Sequence, residues 1–264
     1  MARGSAYFVG SAVFHYLGPS FAVLLFDRVA PLGVAWLRIA TAAAFYAVWR
    51  RPWRTWRARP VLALGVVLAL MNPCFYLAID RLPLATVAAI EFLPVIALAS
   101  IGARSLRNVT ALAAAAAGVY LLTDVRLSGE LLGFVFAFLN AALFALYIVT
   151  AHRVSRHSGI DGLAAAMLIA LVVVTPIGGW SAAPALLDPV ALGAGIGVGV
   201  TSSVVPYVLD QLAMARMPRA TYALFVSLLP ATATVIGVVV LRQIPSPTEL
   251  AAVALVVAGI AIHR

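Results

Sequence analysis

The stretch Leu77-Ala78-Ile79-Asp80-Arg81-Leu82-Pro83-Leu84-Ala85-Thr86 recurs later in the chain as Leu212-Ala213-Met214-Ala215-Arg216-Met217-Pro218-Arg219-Ala220-Thr221. The two copies share Leu, Ala, Arg, Pro, Ala and Thr in the same order and at the same spacing. This self-similarity predicts that the chain consists of two duplicated halves, residues 1–125 and residues 126–264.

Long apolar segments surround both copies and place the chain in a lipid bilayer. Of its 264 residues, 64% are hydrophobic and 10% are charged, a balance outside the range of ordinary soluble domains. A helix needs about 20 apolar residues to cross the hydrocarbon core, and a helix satisfies its own backbone groups in lipid. We therefore predict an all-α integral membrane protein. Its ten predicted transmembrane helices are Ala6–Phe26, Pro31–Trp49, Pro60–Ile79, Pro83–Ala103, Arg107–Thr123, Glu130–Thr150, Gly162–Trp180, Pro189–Leu212, Pro218–Leu241 and Ser246–Ile262.

The position of the repeat among these spans determines how the two halves are related. The first copy lies between spans three and four and the second between spans eight and nine, so five spans separate equivalent points. An odd number of spans inverts the second half relative to the first. Two inverted five-helix repeats can open alternately to either side of the membrane around a central site, which favours transport as the function.

The arginines predict the orientation of the chain. All 18 basic residues are Arg, and most of them fall on one set of alternate connections, whereas the other set holds only Arg28, Arg81, Arg126 and Arg242. The positive-inside rule places the Arg-rich connections in the cytoplasm. We therefore expect a multi-pass protein of the cytoplasmic (inner) membrane with both termini cytoplasmic. The net charge of +9 then reflects topology beside the lipid bilayer and not nucleic-acid binding.

Ionisable residues inside predicted spans are costly in lipid and are the first candidates for function. Arg38 lies inside span two and Glu91 inside span four, at depths of roughly 10 and 12 Å from the outer face. Two interpretations remain open for them. One is an ion pair that orients the helices; the other is a substrate or proton site at Glu91, with Arg38 as its counter-ion or as a ligand for a carboxylate.

For two further ionisable residues, the sequence favours a structural role over a functional one. His15 lies near the middle of span one, where a proton relay is one option; donation to a backbone carbonyl exposed by Pro19 is the favoured interpretation. Asp210 lies close to the cytoplasmic end of span eight. An interfacial ion pair with Arg216 is favoured there over a central site.

Proline and polar residues mark spans three and eight as kinked. Proline frees a carbonyl one turn earlier, so Asn72-Pro73 and Ser203 with Pro206-Tyr207 offer side-chain and backbone partners to a polar ligand. Packing of Asn or Ser between helices is the alternative.

Interrupted helices at equivalent positions of two halves also indicate a binding site. Pro94 and Pro230 occupy such positions in spans four and nine. Tyr76 and Tyr147 are candidates to line a cavity, although aromatic side chains in membrane helices more often pack against helices or lipid.

Missing residue types exclude other classes of protein. The chain contains no Lys, so it has neither a P-loop nor a Schiff-base lysine. One Cys and four scattered His predict no metal site and no cofactor. Without a hydrolase or metalloprotease motif, we expect a protein that is not an enzyme and that draws its energy from gradients.

Three runs of sequence also carry a family resemblance: Asn72-Pro73-Cys74-Phe75-Tyr76-Leu77-Ala78-Ile79, Ala89-Ile90-Glu91-Phe92-Leu93-Pro94 and Ser202-Ser203-Val204-Val205-Pro206-Tyr207. They resemble the EamA family of the drug/metabolite transporter superfamily, most closely its threonine/homoserine exporter group. The resemblance implies a ten-helix basket around a central cavity and secondary export of small amino acids or related metabolites. Leu229 departs from the family pattern, which often has an acidic residue before the proline of span nine.

These observations combine into one hypothesis: a secondary exporter of threonine- or homoserine-like amino acids that works by alternating access and is coupled to protons. A multidrug or nucleotide-sugar-like carrier of the same fold is the nearest alternative, and a lipid-modifying enzyme or assembly factor is the alternative of another class. Whether the protein forms a homodimer stays open. The predicted substrate- or proton-binding residues are Glu91, Arg38, His15, Asn72, Tyr76, Tyr147, Ser203, Tyr207 and Asp210, with helix breaks at Pro73, Pro94, Pro206 and Pro230.

Overall fold

A computed structural model of the chain describes residues 2–50, 52–91, 130–216 and 229–262, together with Tyr222 and several single residues or pairs between 93 and 121. The described part is helical and contains no strand. Its helices are α1 (Ala2–Leu25), α2 (Pro31–Trp49), α3 (Arg59–Ile79), α4 (Leu84–Glu91), α5 (Leu131–His157), α6 (Gly159–Leu187), α7 (Pro189–Gly199), α8 (Val205–Met214), α9 (Leu229–Leu241) and α10 (Pro247–Ile262).

Six of the described helical segments are long and apolar enough to cross a membrane. They are α1, α2, α3, α5, α6 and the continuous segment Pro189–Met214, in which a π-helical turn joins α7 to α8. The shorter segment Thr232–Leu241, within helix α9, is also apolar. Predicted spans four and five fall largely outside the described residues, and so does Pro94, whereas span nine is described at Tyr222 and from Leu229 to Leu241. The protein is therefore a helical membrane protein that crosses the bilayer several times.

Two helices are longer than the sequence analysis predicts. α5 continues to His157, beyond the predicted end at Thr150, and α6 continues to Leu187, beyond Trp180. Only Ser158 separates the two helices, because Gly159 adopts a left-handed conformation with φ +52° that reverses the chain without a longer loop. Apolar periodicity identifies the lipid-embedded part of each helix but not the polar turns that extend it.

Capping hydrogen bonds explain where helices α7 and α10 begin. Asp188 precedes α7 and accepts a hydrogen bond from the backbone N–H of Val190 at 2.9 Å, while Pro189 supplies the first helical residue without needing a hydrogen-bond partner. Before α10, the backbone N–H of Ser246 donates to the Glu249 carboxylate at 2.8 Å and the N–H of Glu249 donates to the Ser246 hydroxyl at 3.2 Å. This reciprocal pair is a capping box.

Helix α2 packs antiparallel against α6. At one end of the pair, a Cβ on Gly33 would lie 2.6 Å from the carbonyl carbon of Ser181. At the other end, Arg50 Nε donates to Asp161 Oδ1 at 2.7 Å. Helix α3 in turn packs along α5 and α6, so these four helices form one side of the bundle.

Helix α1 packs antiparallel against α8 and the π-helical turn before it. Gly10 lies beside Leu209, and Gly18 lies against the backbone of Ser202, where a Cβ would be 2.8 Å from both the N and the Cα of Ser202. Only glycine permits so short a distance between the two backbones. This close approach brings the middle of α1 onto the turn that carries much of the site described below.

Candidate functional site

Arg38, near the middle of α2, is buried among polar groups of α8 and the preceding π-helical turn. Its Nε donates to Ser203 Oγ at 2.6 Å, and its Nη2 donates to the Ser202 carbonyl at 2.6 Å and to the Tyr207 hydroxyl at 3.2 Å. Nη1 lies 3.5 Å from the Tyr76 hydroxyl, and the guanidinium carbon lies 5.6 and 5.7 Å from the ring centroids of Tyr76 and Tyr207. Neutral oxygens and aromatic rings therefore hold the cation.

The Ser202 carbonyl is free to accept from Arg38 because of the residues that follow it. Pro206 has no N–H, so the hydrogen bond that would reach Ser202 in a regular α-helix is missing. The π-helical turn Val200–Val204 disturbs the same stretch, and the Tyr46 hydroxyl lies within hydrogen-bond distance of two further carbonyls of the turn, at 3.3 and 3.1 Å. The proline and the turn together create a set of backbone acceptors in the middle of a membrane helix.

Glu91, the last residue of α4, is also buried, with 4% of its surface exposed. The Tyr16 hydroxyl of α1 donates to its Oε2 at 3.2 Å, and the Asn140 amide of α5 donates to its Oε1 at 2.9 Å. Arg38 and Glu91, both described residues, form no direct ion pair. The interpretation of the two as an ion pair is therefore wrong, because each has its own neutral partners.

Arg38 and Glu91 instead line one small cavity of about 20 Å³. A water molecule needs about 10–15 Å³, so the cavity has room for little more than one. The amide oxygens of Asn72 and Asn140 are buried and accept no hydrogen bond from any described residue, which leaves two acceptors unused within the described part of the cavity. The residues that line it are His15, Arg38, Met71, Asn72, Phe75, Glu91, Asn140, Phe144 and Tyr207.

Asp210, on α8, lies in a second polar cluster next to this cavity. Ser11 Oγ donates to its Oδ1 at 2.6 Å, and the Tyr147 hydroxyl donates to its Oδ2 at 3.0 Å. Arg216 does not reach it; this side chain donates to the Leu212 carbonyl and lies over the Tyr7 ring, 5.2 Å from the centroid. The predicted interfacial ion pair is therefore wrong, because the helix turns Asp210 towards α1 and α5 and Arg216 towards the surface.

His15, on α1, lies between the cavity and Asp210. Its Nδ1 is 3.9 Å from Asp210 Oδ2, which is too long for a hydrogen bond, and its ring meets the rings of Tyr207 and Phe144 edge-on at centroid distances of 6.1 and 6.3 Å. No hydrogen bond joins the imidazole to a backbone carbonyl of the described residues. The favoured interpretation from sequence is wrong here, because the side chain points into the bundle and away from its own helix backbone.

The structure thus gathers the predicted site residues into two adjoining groups. Glu91, His15, Asn72, Arg38 and Tyr207 line the cavity. Tyr76 and Ser203 contact Arg38, whereas Tyr147 contacts Asp210.

The prolines predicted to break helices occupy different positions in the structure. Pro73 lies inside α3, where the Asn72 amide donates to the Leu68 carbonyl at 2.7 Å. Pro206 is the second residue of α8, next to the freed Ser202 carbonyl. Pro230 lies in helix α9, next to Leu229, at which the described part of that helix begins.

Four contributing residues were not predicted from the sequence: Ser11, Tyr16, Tyr46 and Asn140. Asn140 carries the clearest signal, since it is a lone amide within the apolar run Phe134–Tyr147, and polar residues at membrane depth are expensive. Ser11 lies one helical turn before His15 and therefore on the same face of α1. Nothing in the sequence separates Tyr16 and Tyr46 from aromatic residues that pack against helices or lipid.

Comparisons with known proteins agree with the family resemblance and with the fold. Residues 131–263 match the EamA-like transporter family. The threonine/homoserine exporter RhtA of Escherichia coli (strain K12) is 31% identical over 249 residues, which cover 92% of this chain and 84% of that protein. The threonine/homoserine exporter RhtA of Salmonella typhimurium (strain LT2) has the same identity and coverage. A solved crystal structure at 19% identity, covering 98% of this chain and 94% of its own, has a TM-score of 0.62 and supports the fold alone. The resemblance noted in the sequence is thereby confirmed, and the chain belongs to the EamA-like transporter family.

Proposed function

We propose that this protein is a secondary transporter that exports threonine, homoserine or similar small amino acids in exchange for protons. It works by alternating access in the cytoplasmic membrane. Ten transmembrane helices form two inverted five-helix repeats, residues 1–125 and 126–264, in the drug/metabolite transporter fold. Both termini lie in the cytoplasm.

One observation carries this proposal: a buried cation and a buried anion line one cavity without pairing with each other. An amino acid is a zwitterion and offers one charge to each. Arg38 is suited to bind the substrate carboxylate. Glu91, with the unused amide oxygens of Asn72 and Asn140, is suited to accept the substrate ammonium group. Maintaining two separated charges at membrane depth is costly, which favours a functional role for both.

The relatives support the same substrate class. RhtA is a threonine/homoserine exporter and is 31% identical to this chain over most of both sequences. A zwitterion with a short side chain also suits a site that is bounded by the bulky rings of Phe75, Phe144 and Tyr207, because little space remains beyond the two charges.

The size of the cavity supports a conformational cycle. Sites for small molecules commonly enclose about 300–1,000 Å³, whereas this cavity measures about 20 Å³. The helices around it must separate before an amino acid can enter. Two inverted repeats provide two such open conformations, one on each side of the membrane.

The distribution of charge supports the orientation. Arg50 and Arg216 lie at the end of the bundle where α2 and α8 finish, and the short hairpin between α5 and α6 brings Arg153 and Arg156 to that end. The opposite end carries the ion pair of Arg28 with Asp188, at 3.2 Å. The excess of Arg at the first end is what the positive-inside rule expects of a cytoplasmic face.

Uptake of labelled threonine and homoserine into everted membrane vesicles tests the proposal, with and without an imposed inside-acid gradient. We expect saturable uptake that the gradient stimulates. Vesicles that contain folded protein but take up no more than empty-vector vesicles would refute amino-acid export. Competition by hydrophobic cations would instead favour a multidrug carrier, and an absence of any substrate-dependent flux in purified liposomes would favour a protein that does not transport.

The variant Glu91→Gln tests the role of the anion. Loss of a charged hydrogen-bonding partner for the substrate ammonium should raise the apparent KM roughly 10- to 100-fold. Asp80→Asn is the matched control, because Asp80 is a carboxylate paired with Arg81 at 3.1 Å near the end of the bundle, away from the cavity. Equal KM values for the two variants would remove Glu91 from the substrate site.

A further inference from the structure

We infer that Asp210, with His15 beside it, binds the coupling proton, and that its carboxylate lies outside the cavity in which Arg38 and Glu91 bind the substrate. This inference rests on the proposed exchange of amino acids for protons. It assigns the two buried carboxylates different roles: Glu91 recognises the substrate, and Asp210 carries the proton.

The surroundings of Asp210 differ from those of Glu91 in one respect that matters for a proton site. Asp210 does not line the cavity, so a substrate there does not touch its carboxylate. Its exposure is only 2%. The carboxylate nevertheless connects three helices, because Ser11 of α1 and Tyr147 of α5 both donate to it on α8, and the hydroxyl of Tyr222 interacts with it as well.

Among the ionisable groups that face Asp210, His15 is the one suited to exchange a proton with its carboxylate. From α1, His15 is the only described basic side chain within 4 Å of the carboxylate, with Nδ1 at 3.9 Å from Oδ2. Tyr147 faces it from α5, Tyr46 from α2 and Tyr207 from its own helix, together with Tyr222. All four are phenols. Arg38 acts electrostatically on His15 from α2, and its hydrogen bonds go to the π-helical turn and to two tyrosines and not to Asp210.

A proton on Asp210 would change the contacts that hold these helices together. The ionised carboxylate only accepts hydrogen bonds, whereas the acid has one donor and fewer acceptor sites. Hydrogen bonds to an ionised acceptor are also roughly twice as strong as neutral ones. Ser11 has an alternative acceptor, since its hydroxyl lies 3.1 Å from the Pro206 carbonyl. If the proton resides on Oδ2, that atom becomes a neutral and weaker acceptor for the Tyr147 hydroxyl. Protonation therefore weakens the contacts of α8 with α1 and α5.

Helix α8 also connects the proton site to the substrate site. Tyr207 lies one turn before Asp210, on the same face of α8. Its hydroxyl accepts from Arg38 at 3.2 Å, and its ring centroid lies 6.1 Å from that of His15 and 5.5 Å from that of Tyr147. A movement of α8 after protonation would reach Arg38 through Tyr207, and a movement of Arg38 on substrate binding would reach Asp210 by the same route.

The test compares two activities of the purified protein in liposomes. The first is exchange of labelled threonine against unlabelled threonine without any gradient, which requires substrate binding and alternating access but no net proton movement. The second is net uptake driven by an inside-acid gradient. We expect Asp210→Asn to keep exchange within about twofold of wild type and to lose about tenfold or more of the stimulation by the gradient. Asp210→Glu should recover part of that stimulation, and Asp80→Asn should retain both activities.

The results decide whether the coupling proton binds at Asp210. Stimulation that persists in Asp210→Asn would overturn the inference while leaving amino-acid transport intact. A Glu91→Gln protein that keeps exchange but loses stimulation would overturn it as well, since the proton would then bind at Glu91. If Asp210→Asn loses exchange too, Asp210→Glu decides: restored exchange with stimulation supports the inference, and restored exchange without stimulation contradicts it. Failure of the proposed function itself is distinguishable, because wild-type protein would then exchange no threonine or homoserine.

Discussion

Replacement of Gly18 by Ala tests whether the contact between α1 and the π-helical turn holds the site together. A Cβ at this position would lie 2.8 Å from the N and the Cα of Ser202, about 0.7–1.2 Å inside the optimal separation of non-bonded carbon atoms. Both atoms belong to the backbone, so the helix and the turn must move apart. Overpacking of this kind costs about 1–3 kcal/mol, and the better helix propensity of Ala offsets about 0.5–1 kcal/mol. We expect a net loss of about 1–2 kcal/mol in the free energy of unfolding.

The matched control is Gly197→Ala in α7, because no heavy atom of the described residues lies within 4 Å of a Cβ at that position. Thermal unfolding of the purified proteins in one detergent measures the difference. At about 2–4 °C per kcal/mol, the Tm of Gly18→Ala should fall by roughly 2–8 °C, whereas Gly197→Ala should keep or slightly raise its Tm. Threonine exchange should also weaken in Gly18→Ala, since the displaced turn carries the acceptors of Arg38. Equal Tm values for the two variants would refute the close contact.

Two further predictions concern a neutral residue of the cavity and a charged residue outside the membrane spans. Asn140→Leu removes the amide that donates to Glu91 and one of the unused acceptors, so the apparent KM for threonine should rise about tenfold in the vesicle assay; an unchanged KM would contradict the assigned role. The backbone N–H groups of Ala191 and Val190, and then Arg28, hold the pKa of the Asp188 carboxyl below its usual 3.8. The stabilisation by ionised Asp188 is therefore complete above pH 3.8 and is lost as the pH falls through the lower pKa of the folded state. We expect the Tm of Asp188→Asn to fall less steeply than that of wild type over this acid range, and parallel Tm curves would show that the carboxylate does not contribute.

The class of the protein follows from its apolar segments, because each of them enters lipid without needing contacts with the others. Apolar segments of about 20 residues partition into lipid wherever they occur, so α2 and α3 match predicted spans to within one residue at each end. The predicted ends of α5 and α6 are wrong because the prediction uses only the apolar residues of each segment. The polar last turn of α5 lies outside the apolar pattern, and α6 continues to Leu187 although Pro184 lies inside it.

The candidate site was predicted in part for a related reason. A charge at membrane depth stands out in any sequence, which is why Arg38, Glu91, His15 and Asp210 were all identified. Tyr76, Ser203, Tyr207 and Tyr147 were also predicted, but the sequence did not show which ionisable group each of them contacts. Asp210 and Arg216 lie close in sequence but do not meet: Asp210 is held by Ser11 and Tyr147, whereas Arg216, beyond the end of α8, lies over the Tyr7 ring.

Sequence alone therefore determined that this chain is a helical membrane protein of the EamA-like family, and it identified Arg38 and Glu91 as ionisable groups at membrane depth, because the entry of an apolar segment into lipid is a property of that segment by itself. Tertiary structure alone decided which of those groups meet. Arg38 faces a carbonyl left free by Pro206 and not the carboxylate of Glu91, and Asp210 faces hydroxyls of α1 and α5. Hydrogen bonds depend on distances of a few tenths of an ångström between helices that are far apart in sequence, and only the packing of those helices sets such distances.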